Sequence, residues 1–170
     1  VSSVLGTPYP VFVANPYVVQ PISLDNVQAG TVYGAELGAT WAIRPSWRLR
    51  GAYTYLLMDL QPVAGQGADA SENGQSPRNQ VYFQSGWDLG KNWELDVIGR
   101  YADELPFYGV PSYIVGDIRL AWRSKKHLEL SVVGRNLLKG PHTEYGDDRN
   151  LGTLHTQVRP EVYGQVIWRR

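Results

Sequence analysis

The sequence contains no cysteine, which excludes disulfides and thiolate metal sites. No run approaches about eighteen consecutive apolar residues, so a transmembrane helix is excluded. Neither sign of charge dominates: 16 basic residues stand against 16 acidic ones, and no nucleic-acid or acidic-surface partner is implied. Methionine occurs once, long helix formers are few, and no helical period appears. An initiator methionine and a signal-peptide pattern are also lacking; the chain opens Val1-Ser2-Ser3 and reads as a mature segment or a fragment. What is abundant points to β structure: 18 glycines, 11 tyrosines, 6 tryptophans and many valines. A membrane is still open to such a chain, because a barrel strand needs only about ten residues of alternating character.

The clearest alternation runs from Tyr113 to Leu138. Ile114, Gly116, Ile118, Leu120 and Trp122 fall on one face, while Tyr113, Val115, Asp117, Arg119, Ala121 and Arg123 fall on the other. After Ser124-Lys125-Lys126 the pattern resumes, with Leu128, Leu130, Val132 and Gly134 opposing Glu129, Ser131, Val133 and Arg135. This is an antiparallel hairpin with one apolar and one charged face. Its apolar face either packs on a soluble core, or faces lipid while Asp117, Arg119 and Arg135 face a wet lumen. The hairpin alone does not choose between them.

The same period places strands near residues 28–43, 47–60, 79–89, 93–105, 112–123, 127–137 and 158–169. The expected fold class is therefore all-β and antiparallel, with about seven strands. The first 25 residues are proline-rich and poorly defined by pattern. There Pro8, Pro10, Pro16 and Pro21 interrupt any ladder, and one short strand is expected near Tyr17 to Leu24.

Two regularities separate a membrane barrel from a soluble sandwich. The connections alternate in length: 44–46, 90–92 and 124–126 are tight turns, whereas 61–77, 106–111 and 140–157 are mostly much longer. Outer-membrane barrels show this asymmetry, with short periplasmic turns and long extracellular loops. The tryptophans are also sorted: Trp41, Trp47, Trp87, Trp93 and Trp122 lie close to short turns, and strand parity brings Trp168 to the same end. Tyr55, Tyr101 and Tyr113 lie towards the long-loop ends. Indole and phenol favour the boundary between hydrocarbon and headgroups, since each has an apolar body and one polar handle. Trp47 to Tyr55 and Trp93 to Tyr101 each span eight residues. With a tilt of about 40° that is on the order of 20 Å, against an apolar band of about 25 Å. Buried core tryptophans would instead be scattered along the strands.

Beyond pattern, particular stretches resemble the C-terminal part of the barrel of a TonB-dependent outer-membrane receptor. They are Tyr33-Gly34-Ala35-Glu36-Leu37, Trp47 to Tyr55, Ser76-Pro77-Arg78-Asn79, Arg100 to Pro106, Val133 to Leu138, His142-Thr143-Glu144-Tyr145 and Arg159 to Trp168. No single piece is specific; their order and spacing are. The resemblance implies about seven strands out of the 22 of a plugged barrel in a Gram-negative outer membrane. It places the plug domain and the TonB-contacting box upstream of this chain, so that the TonB energy-transducing complex is a partner only through that N-terminal part. Such barrels end in an aromatic residue, whereas this chain ends Trp168-Arg169-Arg170. Either the assembly signal is degenerate or Trp168 serves in its place.

No catalytic constellation emerges, and neither a cofactor nor an enzyme activity is expected. His142 and His155 flank a loop that also holds Glu144, Asp147 and Asp148. Their spacing matches no metal-ligand pattern, so a solvated loop is expected rather than a metal site. Gly65-Gln66-Gly67 lacks the strand-to-helix setting of a phosphate cradle. Glu94, Asp96 and Arg100 alternate along one strand and are expected to pair with Asp117 and Arg119 on the next, forming a lumen wall.

What the resemblance implies is transport: uptake of a scarce ligand, foremost a ferric siderophore or similar iron complex. The long loops 61–77 and 140–157 are then the candidate contacts, and Arg78, Tyr108, His142, Glu144, Tyr145, Arg149 and His155 the candidate side chains. Outer-membrane lipid is the other partner, met by the belt of Trp41, Trp47, Trp87, Trp93, Trp122 and Trp168. Two alternatives belong to other classes: a stand-alone small outer-membrane barrel with a structural or adhesive role, and a soluble β-sandwich binding module.

Overall fold

Alternating β-branched and aromatic residues with almost no strong helix-forming segment leave extended structure as the only way to satisfy this backbone. The computed structural model describes residues 2–26, 28–63, 73–124, 127–146 and 156–169. Its strands are β1 (Ser2–Leu5), β2 (Tyr9–Val11), β3 (Tyr17–Val19), β4 (Ile22–Asp25), β5 (Gln28–Arg44), β6 (Trp47–Pro62), β7 (Asn79–Leu89), β8 (Trp93–Ala102), β9 (Tyr113–Arg123), β10 (Leu128–Arg135) and β11 (Glu161–Trp168). The last seven form one sheet whose spatial order, β5-β6-β7-β8-β9-β10-β11, is the chain order. From β6 to β11 each strand pairs antiparallel with the next. No helix among the described residues is long and apolar enough to cross a membrane.

The chain divides into two compact units, Val1–Tyr33 with Met58–Asn73, and Gly34–Leu57 with Gly74–Arg170. In the first, β1 pairs with β4 and β2 with β3. The joint between the two ladders is closed by Gly6 N–H donating to Pro21 O at 2.9 Å and Gln20 Nε2 donating to Gly6 O at 2.6 Å. This corrects the expectation of one strand near Tyr17 to Leu24: Pro21 splits that stretch, and two further strands precede it. Pro10 lies inside β2 opposite Val18. In a two-stranded ribbon each strand is also an edge, so a residue without an N–H is tolerated there.

The second unit carries the site. Short connections link β5 to β6 at Pro45-Ser46, β7 to β8 at residues 90–92, and β9 to β10 at residues 124–127. Gly90 (φ 76°) and His127 (φ 83°) supply the left-handed turns of the latter two. The connections at the other end, 63–78, 103–112 and 136–160, are long.

Register decides which side chains share a face, since directly opposed residues point the same way. Leu95, Leu120, Val132 and Gly164 form one row across β8 to β11, and Val97, Ile118 and Gly134 the next. Asp96, Arg119, Val133 and Tyr163 form a row on the opposite face. Burial runs against the pattern of a water-soluble sheet. On the apolar face Ile118 is 41% exposed and Val132 58%. On the charged face Val115 and Ala121 are fully covered and Glu129 is 5% exposed. A soluble sandwich requires the reverse, with the apolar face closed against a second layer. The sheet therefore has the polarity of the inside-out alternative.

Several strands stop short of the pattern's limits, each for a local reason. β10 ends at Arg135 because Asn136 turns left-handed (φ 56°) and Asp117 Oδ1 accepts its N–H at 2.9 Å. The turn folds Leu137 and Leu138 back over the apolar face. A Cβ on Gly116 would lie 2.7 Å from the Leu138 side chain. β11 begins at Glu161 rather than 158 because Val158 pairs with His142 instead. β8 ends at Ala102 because Asp103 turns to hold the start of β7.

Candidate functional site

At the long-connection end the 103–112 segment is built from Asp103. Its carboxylate accepts from Tyr101 Oη at 2.6 Å, from Asn79 N–H at 3.0 Å and from Asn79 Nδ2 at 2.6 Å. The Tyr101 hydroxyl, with the two Asn79 donors, holds the Asp103 carboxyl below the usual carboxylate range. Leu105 and Val110, both buried, then exchange backbone hydrogen bonds of 2.8 and 3.2 Å. Between them a 3-10 turn, Pro106–Tyr108, is capped by left-handed Gly109 (φ 65°). The turn presents Phe107 and Tyr108, and Phe107 N–H reaches Gly74 O at 3.3 Å in the preceding long connection.

The 136–146 segment closes against this turn. Lys139 Nζ donates to Ser112 O at 3.3 Å. Buried His142 exchanges backbone hydrogen bonds with Val158, 3.1 and 2.8 Å long. Its Nδ1 lies 3.2 Å from Gly140 O and its Nε2 3.0 Å from Glu144 Oε1, with the Tyr113 ring 5.2 Å away. The Tyr145 hydroxyl lies 3.3 Å from that of Tyr108, with ring centroids 4.9 Å apart. Gly146 permits this approach: a Cβ there would sit 2.1 Å from Tyr108 Cβ. The product is a platform of exposed aromatic faces, Phe107 and Tyr145, beside phenol hydroxyls and one carboxylate. Such a surface stacks planar rings and exchanges hydrogen bonds with polar ligands.

Of the candidate contacts, Tyr108, His142, Glu144 and Tyr145 come together. Arg78 does not join them; its carbonyl accepts from Leu56 N–H at 2.9 Å, and its charge acts on Asp103. Arg149 and His155 lie outside the described residues, as do Asp147 and Asp148. Among the described residues no group of three or more His, Asp or Glu gathers in a way that could hold a metal ion. Lys139 and Gly146 belong to the platform without any sequence signal to mark them, because their partners sit in another connection, and Tyr113, read from sequence only as a long-loop-end aromatic, proves to stack by His142.

The charged face forms a continuous network towards the short turns. Arg119 pairs with Asp96 at 3.3 Å, with Glu94 at 3.6 Å, and with Glu129. Arg123 pairs with Glu94 and, at 3.0 Å, with Glu129, while Arg169 reaches Glu129 at 3.7 Å. Nearer the long connections Arg100 Nη2 donates to Asp117 at 3.1 Å and Asn136 at 3.4 Å. The expected β8–β9 ion pairs are present, and Glu129 is the hub that pattern reading passed over. Its position after a turn and next to leucines gave no hint of three cationic partners.

On the apolar face Trp47 and Trp87 are register partners with stacked rings, 6.1 Å between centroids. Trp47 Nε1 donates to buried Ser85 Oγ at 2.9 Å. Trp93 lies opposite Trp122, and Trp168 opposite Leu128. Trp41, Trp93 and Trp168 are exposed.

A family model described as TonB dependent receptor-like, beta-barrel, matches residues 5–137. None of the curated proteins matches the chain. Among solved structures the chain is similar to the siderophore receptor PiuA from Acinetobacter baumannii, at 20% identity and a TM-score of 0.63, over 84% of this chain and 22% of that one. It is similar to the ferric-catecholate import receptor Fiu from E. coli K12 in its closed form, at 18% identity and a TM-score of 0.61, over 79% and 20%. It is similar to the copper transporter OprC at 15% identity and a TM-score of 0.62, over 98% and 26%. The chain thus spans between a fifth and about a quarter of the solved proteins it matches.

Proposed function

The chain belongs to the TonB-dependent receptor-like β-barrel family, and from that premise we propose that it is the C-terminal barrel segment of an outer-membrane receptor that imports a scarce ligand. The observation that carries the proposal is the inverted sheet: an exposed apolar face backed by a paired, covered charged face. In a barrel the first meets lipid and the second lines the lumen. Seven strands are about a third of the 22 such receptors have, in keeping with the small share of each matched structure that the chain covers. The rest of the barrel, the plug and the TonB contact belong to the N-terminal part of such a receptor. The tryptophans of the short-turn end anchor at the periplasmic interface.

The ligand we assign is a ferric siderophore or similar iron complex, held at the outer mouth by the Tyr108–Tyr145 platform with Glu144, which buried His142 positions from behind. Two of the matched structures are receptors for siderophore or ferric catecholate, and aromatic catecholates suit a stacking surface. The test is uptake of radiolabelled iron as catecholate and hydroxamate complexes by the full receptor, in a Gram-negative strain lacking its own siderophore receptors. Uptake that vanishes when TonB is deleted is the expected result. Uptake that persists without TonB, or no uptake of any iron or copper species, overturns the transport reading. TonB-dependent uptake of copper alone would overturn only the ligand.

A further inference from the structure

Compensation on the charged face has one gap. Arg48, Arg100, Arg119, Arg123 and Arg135 each have a carboxylate partner on a neighbouring strand. Register places Arg50 on the same face, in the row Arg50, Gln84, Ile98 and Asp117. Its side chain is exposed, and among the described residues it has neither an ion pair nor a hydrogen-bond partner.

Arg50 borders a hollow of about 90 Å³ that Thr40, Arg48, Gln84, Gly86 and Asp96 also line. That is ample for a carboxylate group. Gly86 makes the room: a Cβ there would lie 3.1 Å from Asp96 Oδ1. The other charged groups around the hollow are already engaged. Both Nη atoms of Arg48 donate to the Asp88 carboxylate, at 2.9 Å each. Asp96 accepts from Gln84 Nε2 at 3.2 Å and from Arg119 Nη1 at 3.3 Å. Arg50 is thus the charged group at this hollow whose donors are unused.

We propose that the hollow over Gly86 is a carboxylate-binding subsite on the lumen wall, with Arg50 supplying the guanidinium fork. This rests on the barrel reading above, in which the charged face lines the lumen, and goes beyond it in assigning a group that the wall holds. The lumen of a barrel this large is plugged, so its wall is shielded from bulk water, where a guanidinium without a counter-charge is costly. A planar fork matches a carboxylate through two parallel hydrogen bonds. One guanidinium balances one negative charge, whereas a doubly charged phosphate would leave a surplus beside Asp96. The carboxylate comes either from an acidic side chain of the part of the receptor that fills the lumen, or from the imported ligand. Both present the same group and differ in when it is there.

In the full receptor, purified in detergent on a cysteine-free background, Arg50→Cys and Gln84→Cys are each reacted with a cationic and an anionic methanethiosulfonate of similar size. The ratio of the two rates is read against that at Ser131→Cys. Asp96 keeps Arg119 in both variants, so the difference between them reports the charge state at Arg50. An acidic side chain of the receptor itself gives parity at Gln84→Cys. At Arg50→Cys, where that carboxylate is left unpaired, it gives a preference of about tenfold for the cationic reagent. A carboxylate that arrives with ligand gives a preference of about tenfold for the anionic reagent at Gln84→Cys, which falls to parity when ferric citrate is added. Where Arg50→Cys fails to fold, Arg50→Gln combined with Gln84→Cys takes its place, since it keeps the bulk and leaves the same carboxylate unpaired. An anionic preference at Gln84→Cys that ferric citrate leaves unchanged, or parity in both variants, overturns the proposal. If the cysteines react without the stated preferences, only the subsite fails; if neither reacts with either reagent, the lumen reading fails and takes the subsite with it.

Discussion

Replacing Ile118 by arginine tests the inverted sheet at one side chain. Ile118 sits on the apolar face, paired with Val97 on one side and Gly134 on the other, and it is 41% exposed. It lies four residues from Trp122 and four from Ile114 along β9. Four residues at about 3.3 Å, tilted by about 40°, give roughly 10 Å of depth in each direction. Since the apolar band is about 25 Å tall, Ile118 falls near its midplane. Arginine there costs about 2–4 kcal/mol, and at Ile114, close to the interface, about 0–1 kcal/mol. If water covered this face, Ile118→Arg would shift stability by no more than about 0.5 kcal/mol. The assay is urea unfolding and refolding of the full barrel into vesicles, followed by heat-modifiable mobility. The expected difference between the two variants, about 2 kcal/mol or more, is over tenfold in the folded-to-unfolded ratio. Equal costs at Ile114 and Ile118, or a cost at Ile118 within 0.5 kcal/mol of zero, would refute lipid contact, because depth in a bilayer is the only source of the gradient.

Cysteines at Asp96, Arg119, Ser131 and Arg135 should react with charged thiol reagents in intact membranes, and those at Leu95, Val97, Leu120, Leu130 and Val132 only with lipid-soluble ones; the chain has no native cysteine to raise the background. Equal labelling of both sets by a charged reagent would exclude the barrel. Glu129→Gln removes the shared partner of Arg119, Arg123 and Arg169 and should cost on the order of 2 kcal/mol in the same unfolding assay, less than a fully buried pair because the arginines keep partial solvent contact. Asn136→Ala should cost about 1–2 kcal/mol, because a Cβ disfavours its left-handed backbone, whereas Asn136→Gly should recover most of that loss. Asp103 is a depressed carboxyl, so its contribution is present above its unfolded value and is lost as pH falls through its lower folded value. The protection of amides in residues 103–112, measured against their intrinsic exchange rate at each pH, should therefore fall in acid, and Asp103→Asn should remove that acid dependence.

The strands were legible because nothing competes with the period of two. The 79–89 strand is found at the limits its pattern gives, and the turns follow from Pro45, Gly90 and the Ser124 region. Strand ends were not legible, since each is set by one side chain capturing backbone from another element. Asp117 does this to Asn136, and His142 does it to Val158. Periodicity carries no record of such captures. The first 25 residues failed for a related reason: four proline-interrupted pieces are too short to show a period, and only pairing across 14 residues, as between Gly6 and Gln20, organises them. At the site, Tyr108 and Tyr145 were each visible as polar aromatics in loops, but their contact spans 37 residues and depends on Gly146. A glycine of that kind looks like any loop glycine until its neighbour is known.

On the uptake reading, the pairing on the charged face explains how a wall so rich in ionisable groups can serve a passage. Arg119, Arg123 and Arg169 meet Glu94, Asp96 and Glu129 within one network, and Arg100 meets Asp117. Each link crosses neighbouring strands, so it braces β8, β9 and β10 while cancelling charge locally. An unpaired ring of one sign would hold counter-ions and bind an oppositely charged ligand part-way along. A compensated wall offers hydrogen-bonding groups without that trap. On the uptake reading, selection then falls to the mouth, where the Phe107 and Tyr145 faces are exposed beside Glu144, and the strands below have only to stay wet, paired and closed.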